Sequence, residues 1–143
     1  MRYLVSATLK LNQAPALLES ITTKTLGKGS LAGTEYLKNM DVARLMNDLS
    51  IRWIEVCYCA IPLQEEQPYW QEYFNILEIK NAHDPLNCRD LNKKEPWACG
   101  SCDCTYNLEQ QLKNQGSLFL DELQSLVLGK KKKILKVNSY LNN

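Results

Sequence analysis

Apolar and polar residues alternate over the first ten positions of the chain. A period of two is typical of a β-strand with one buried face, so we expect a strand over 2–10. Apolar residues at helical spacing follow, with Pro15 in the first turn, and they predict a helix over 14–26. The chain therefore begins with a strand followed by a helix.

The next segment, 34–46, fits two patterns. Its apolar residues have helical spacing, yet its second half also fits the first arm of a hairpin before the turn-like pair Asn47–Asp48. Residues Ile51 to Tyr58 are rich in β-branched and aromatic side chains and predict a strand. Its two faces carry Arg52, Ile54, Val56 and Tyr58 on one side and Ile51, Trp53, Glu55, Cys57 and Cys59 on the other.

A short helix with an aromatic stripe is predicted after Pro68, and a strand over 76–80. The acidic pair Glu65–Glu66 is interpreted as the solvated start of that helix. The order of elements over residues 1–82 is that of an α+β, ferredoxin-like βαββαβ sandwich, an antiparallel sheet with both helices on one face. Since such a sheet leaves a face open, we expect a homodimer that covers it.

Three further segments follow this domain. Residues 83–104 are rich in Asn, Asp, Pro and Cys and are predicted to be a cysteine-rich metal-binding loop, because so long a connection needs something to organise it. Residues 105–129 predict a helical extension, with a second helix capped by Ser117. Residues 130–143 carry five lysines and no acid, which predicts a basic mobile tail.

Composition excludes several classes of protein. With 45% hydrophobic and 23% charged residues in 143, the chain is expected to form a globular core rather than a disordered chain or a coiled coil. The net charge of +1 gives no overall field for nucleic acid, so we predict no nucleic-acid binding. No secretory signal or transmembrane run is visible, which predicts a cytoplasmic protein without membrane contact.

Six cysteines are the strongest departure from average composition. In a reducing cytoplasm, clustered cysteines are metal ligands or redox thiols more often than disulfides. The spacing Cys99-x2-Cys102, with Cys104 two positions later, resembles the knuckle of tetrahedral zinc sites. The predicted ligands are Cys88, Cys99, Cys102 and Cys104, with zinc as the metal and an iron–sulfur cluster as the alternative.

Three other residues are backup ligands. Cys57 and Cys59 project from the same face of their strand, and all six cysteines could converge at its end. Both could equally be small core residues, because free cysteine is often buried. His83 precedes Asp84–Pro85 and fits a turn histidine better than a ligand.

These patterns predict a small structural-zinc protein that acts as a binding or assembly module for an unidentified protein partner. A thiol-redox or sulfur-transfer protein that uses cysteines 99–104 is the alternative. The sequence contains no phosphate loop, HExxH or GxSxG motif, so no catalytic residue is predicted. Neither a substrate nor a pathway follows from the sequence.

Overall fold

The computed structural model describes residues 2–57, 59–83 and 103–129. It shows an α+β protein whose five-stranded antiparallel sheet packs against helices. The strands are β1 (Arg2–Leu9), β2 (Arg44–Leu45), β3 (Ile51–Val56), β4 (Phe74–His83) and β5 (Ser117–Leu118). The helices are α1 (Ala14–Thr22), α2 (Glu35–Val42), α3 (Gln67–Gln71), α4 (Asp103–Lys113) and α5 (Phe119–Leu128).

β1 lies between β3 and β4 and is antiparallel to both. Its alternation is confirmed, because Tyr3, Val5 and Ala7 are buried on one face. Val5 lies opposite Trp53 in β3, which places the apolar residues of both strands on the same face. The two strands predicted most directly from the period of two therefore form the centre of the sheet.

Segment 34–46 contains both of the structures that the sequence left open. Helix α2 ends at Val42, and the chain then extends into β2, which pairs with β3 as the first arm of a hairpin. In the turn, the Oδ1 atom of Asp48 accepts hydrogen bonds from the backbone N–H and hydroxyl of Ser50, at 2.9 and 2.6 Å. These two bonds hold the pKa of Asp48 below its usual value.

Helix α1 is shorter than predicted and ends at Thr22. The chain then turns repeatedly through 23–34, where Gly27 has a φ of +74°. A Cβ atom at Gly27 would overlap the ring of Tyr36, so only glycine fits there. The helix ends before residue 26 because the backbone leaves the helical region at Lys24, which has a φ of +60°.

The main core lies on the face of the sheet that carries α1, α2, α3 and α5. Aromatic rings form a chain through it, with centroid distances of 4.7 Å between Trp53 and Trp70 and 5.3 Å between Trp53 and Phe74. Phe119 of α5 continues the chain at 5.9 Å from Phe74. Tilted contacts at these distances stabilise a core beyond the area that they bury.

Helix α4 packs on the opposite face of the sheet. A second apolar cluster joins Leu4 and Ile54 of the sheet to Leu108 and Leu112 of α4. Leu4 and Ile54 alternate with the main-core residues Val5 and Trp53, so they belong to the other face. The two helices predicted within residues 1–82, now α1 and α3, do pack on one face, whereas α4 of the predicted helical extension covers part of the face expected to be open.

The sheet order, β4-β1-β3-β2-β5, is not the standard ferredoxin-like topology. A fifth strand, β5, pairs with β2 at one edge, and the chain between β1 and β2 holds two helices. Because Ser117 belongs to β5 and lies opposite Leu45, it does not cap a helix as predicted, and α5 begins at Phe119. The described helices include none that is long and apolar enough to cross a membrane.

Candidate metal centre

Two cysteines and a glutamate meet where β3 ends. Cys57 directly follows β3 and continues its inward-facing positions, and Cys59 comes two residues later. The chain then turns back before α3, and Gln67 closes this return by donating its backbone N–H to Leu63 and its side-chain amide to Pro62. The turn brings Glu66, the residue before α3, next to both thiols.

The three side chains are close enough to share one metal ion. The sulfur of Cys57 lies 3.4 Å from Oε2 of Glu66, and the sulfur of Cys59 lies 4.0 Å from the same oxygen. All three ligand atoms lie within 4.8 Å of one another. In a tetrahedral zinc site with Zn–S about 2.3 Å, two sulfurs are about 3.8 Å apart, and a sulfur and an oxygen about 3.5 Å. The observed spacing needs only small movements to enclose such an ion.

The group is largely shielded from solvent. Cys57 is buried, Cys59 is half-buried and Glu66 is only 6% exposed. The backbone N–H of Cys59 donates to the sulfur of Cys57 at 3.3 Å, an arrangement that also suits a metal-bound thiolate. Burial raises the pKa of Cys57 to about 12, and the nearby charge of Glu66 adds to the effect. Without a cation, the Cys57 sulfur therefore holds its proton.

A second buried carboxyl, Glu55, lies on β3 two residues before Cys57 and is 3% exposed. Its Oε1 atom accepts hydrogen bonds from the indole N–H groups of Trp53 and Trp70, at 2.7 and 2.8 Å. Burial raises the pKa of Glu55 to about 7, although both indole bonds oppose this shift. The two indole hydrogen bonds therefore fix the position of the Glu55 side chain.

The neighbouring acid, Glu65, has a different environment. Its carboxylate accepts hydrogen bonds from the hydroxyl of Ser30, at 2.7 and 2.8 Å, and from the backbone N–H of Leu31, at 3.0 Å. Ser30 also bonds the hydroxyl of Tyr36 at 2.8 Å, and burial raises the pKa of that phenol. Glu65 therefore anchors the turn that precedes α2.

The interpretation of Glu65–Glu66 as a solvated helix start is therefore wrong. Glu66 points inward to the thiols, and Glu65 bonds a distant turn. Glu66 was not among the ligands predicted from the sequence. The available signal was its place seven residues after Cys59 and directly before a helix, where a short loop can return it to the end of β3.

The structure brings together only some of the predicted ligands. Cys57 and Cys59, which were predicted as backup ligands, lie next to Glu66. Both also contact the main core, as the alternative prediction that they are small core residues requires. Cys88, Cys99 and Cys102 lie outside the described residues. The backbone of Cys104 is in the first turn of α4, and His83 is the last residue of β4.

β3 and β4 both terminate at the same end of the sheet, where β1 begins. Arg2 at the start of β1 lies opposite Val56 of β3 on one side and His83 of β4 on the other. Two strand spacings, about 9.6 Å, therefore separate the backbones of Val56 and His83. The chain therefore leaves β4 at the same end of the sheet as Cys57, which directly follows β3.

No protein-family model, curated protein or solved structure matches this chain. What the molecule does has to be argued from its own residues. The chemistry that they support is a candidate metal site of two thiols and one carboxylate.

Proposed function

We propose that this is a zinc-binding protein in which Cys57, Cys59 and Glu66 hold a structural ion and the domain serves as a binding or assembly module. The observation that carries the proposal is the meeting of three ligand-type side chains within 4.8 Å at the end of β3. Two of them are buried, where an isolated charge is costly unless it is paired or bound to a metal.

The donor set favours zinc over other common metals. Calcium and magnesium prefer all-oxygen sites, whereas two thiolates and a carboxylate are ordinary zinc ligands. An iron–sulfur cluster needs four cysteines in most proteins, and this group supplies two. Zinc also requires no redox chemistry, which agrees with a site that has a structural role.

A tetrahedral ion would need one ligand more than these three. We propose that it comes from the predicted set Cys88, Cys99, Cys102 and Cys104, with His83 as a backup. Cys88 follows His83 by five residues, a span of at most about 18 Å, and His83 ends β4 at the same sheet edge as the thiols. The alternative is that those cysteines bind a second ion of their own.

Elemental analysis of protein prepared without a His-tag, under anaerobic conditions, tests the proposal. The wild type should contain about one equivalent of zinc per chain if the later cysteines complete the site of Cys57, Cys59 and Glu66. It should contain about two equivalents if those cysteines bind an ion of their own. Cys59→Ser and Glu66→Gln should each reduce the zinc content of the first site by at least half. Glu65→Gln is the matched control, since that neighbouring carboxylate bonds Ser30 and should leave the zinc content unchanged.

Cobalt substitution gives a second readout that does not depend on zinc affinity. Per bound cobalt, thiolate-to-cobalt absorption should be weaker in Cys59→Ser and unchanged in Glu66→Gln, because only the first variant removes a sulfur ligand. Cys99→Ser and Cys102→Ser should change the same band if one site uses all these cysteines. Full zinc content in Cys59→Ser and Glu66→Gln, with circular dichroism unchanged, would contradict the proposal, and a brown anaerobic sample would indicate iron–sulfur instead.

A thiol-redox function of Cys57 and Cys59, distinct from the one predicted for cysteines 99–104, has one observation in its favour, the proximity of the two sulfurs. Against it, a redox thiol needs a lowered pKa, whereas burial raises that of Cys57 to about 12. Metal-free protein whose cysteines form a reversible disulfide under mild oxidants would support this alternative. Thiols that react only after unfolding would count against it.

A further inference from the structure

The outer side of β4 is the longest free edge in the part of the sheet that the structure describes. β4 has ten residues and lies at one end of the strand order, whereas β5 at the other end has two. An edge strand offers a row of backbone N–H and C=O groups that another strand can pair with. The question is which strand fits.

The side chains of β4 are complementary to a second copy of themselves. In the register with β1, Glu78 lies opposite Ser6 and Lys80 opposite Leu4, so both charges are on the same face, with Ile79 between them on the other. If two copies of β4 pair antiparallel about a two-fold axis at Ile79, each Glu78 lies opposite the Lys80 of its partner. Such opposite charges across a strand pair are stabilising.

Neighbouring registers lack this match. In a continuous sheet, residues that lie directly opposite each other point to the same face. An axis between two residues of β4 would pair inward-facing with outward-facing residues, so the axis must pass through a residue. An axis at Glu78 places that carboxylate opposite itself, and an axis at Lys80 places that ammonium opposite itself. Like charges directly opposite are destabilising, so the two charges select the register centred on Ile79.

The irregularities of β4 limit the length of such a pairing. Relative to β1, β4 has an extra residue at Leu77 and another at Ala82, so its regular stretch is 78–81. Bulges of this kind shorten an exposed edge and protect it from indiscriminate pairing. Leu77 is 60% exposed at the end of the regular stretch, where a second copy would cover part of it. A short ladder of this kind gives a weak dimer that depends on concentration.

We propose that two copies of this chain associate through their β4 edges, in the register that pairs Glu78 with Lys80, and form one continuous ten-stranded sheet. This dimer forms through the edge of β4. The sequence predicted a dimer through the open face of the sheet, but α4 partly covers that face. The proposal does not depend on the metal site, because Cys57, Cys59 and Glu66 lie outside β4 and the proposed pairing centres on 78–81 rather than on His83.

Sedimentation equilibrium across a range of concentrations tests the dimer, with single and compensating charge reversals. Lys80→Glu and Glu78→Lys each turn two opposite-charge pairs into like-charge pairs and should weaken association about tenfold or more. The double variant Glu78→Lys/Lys80→Glu restores both pairs with the charges exchanged and should recover association. Glu72→Lys, an exposed reversal outside β4, is the control for net charge.

Circular dichroism and zinc content should be unchanged in all these variants, which separates a lost dimer from a lost fold. A wild type that sediments as a monomer up to its solubility limit would overturn the proposal. Equal weakening of the dimer by Glu78→Lys and by Glu72→Lys, which change the net charge by the same amount, would also overturn it. So would a double variant that associates no better than the single variants.

Discussion

Glu55→Gln should remove most of the pH dependence of folding stability between about pH 4.5 and 7 in the metal-free protein. Glu55 is buried, and its Oε1 atom accepts hydrogen bonds from Trp53 and Trp70. Burial raises its pKa from 4.5 to about 7, and the charges of Glu66 and Glu35 add to the rise. The amide of glutamine keeps a carbonyl oxygen for the two indoles but has no proton to lose.

The direction of the effect follows from the raised pKa. Between about pH 4.5 and 7 the unfolded chain has released the Glu55 proton while the folded protein still holds it. Stability from this group is therefore complete below pH 4.5 and is lost as the pH rises through 7. A shift of about 2.5 pH units corresponds to about 3 kcal/mol, a large part of the total stability of a small domain.

Urea unfolding in the presence of a chelator, at a series of pH values across this window, measures the effect. The informative quantity is the difference in unfolding free energy between wild type and Glu55→Gln, since other titrating groups cancel in it. Between the acid and the alkaline end of this pH range, the unfolding free energy of Glu55→Gln should rise by about 3 kcal/mol relative to that of the wild type. A free-energy difference that stays constant across this pH range would refute the conclusion that the buried Glu55 carboxyl stays protonated in the folded protein.

Two further predictions concern the packing of Gly116 and the turn that Glu65 anchors. Gly116→Ala should destabilise the fold by about 3 kcal/mol, because its Cβ would overlap the carbonyl oxygen of Leu45. The control, Gly33→Ala, has a φ of +57° and open space around the new Cβ, so it should cost only about 1 kcal/mol. Equal losses of stability in thermal unfolding of the two variants would contradict the steric argument. Ser30→Ala should cost about 1 to 2 kcal/mol through lost hydrogen bonds, and a double-mutant cycle with Glu65→Ala that shows no coupling would exclude their bond as the cause.

The central strands could be predicted because their patterns are local. One face of β1 and β3 carries an apolar residue at nearly every second position, and burial of Val5 and Trp53 on that face confirms the period. Segment 34–46 could not be divided from sequence, because helix α2 ends only one residue before β2 begins and the two patterns overlap. The position of α4 on the second face could not be predicted either, since an amphipathic helix does not indicate which face of a sheet it covers.

The candidate site was predictable only in part. Alternation placed Cys57 and Cys59 on one side of the chain, and the structure finds their sulfurs together. Glu66 was missed because its contact with them depends on the path of the loop from residue 57 to 66, which no local period reports. Two adjacent glutamates before a helix are ordinarily solvated, so their burial is visible only once the fold is known.

The different surroundings of Glu65 and Glu66 indicate which of the two acids would be the ligand in the proposed metal site. Glu65 already accepts hydrogen bonds from Ser30 and from the backbone of Leu31, and these donors stabilise its negative charge. Glu66 is more deeply buried, and its Oε2 atom faces the sulfurs of Cys57 and Cys59. Sulfur is a weak hydrogen-bond donor, and a thiolate repels a carboxylate, so neither form of the thiols stabilises that charge well. A divalent cation between the three would stabilise all of them at once, and for this reason Glu66→Gln, rather than Glu65→Gln, should lose the metal.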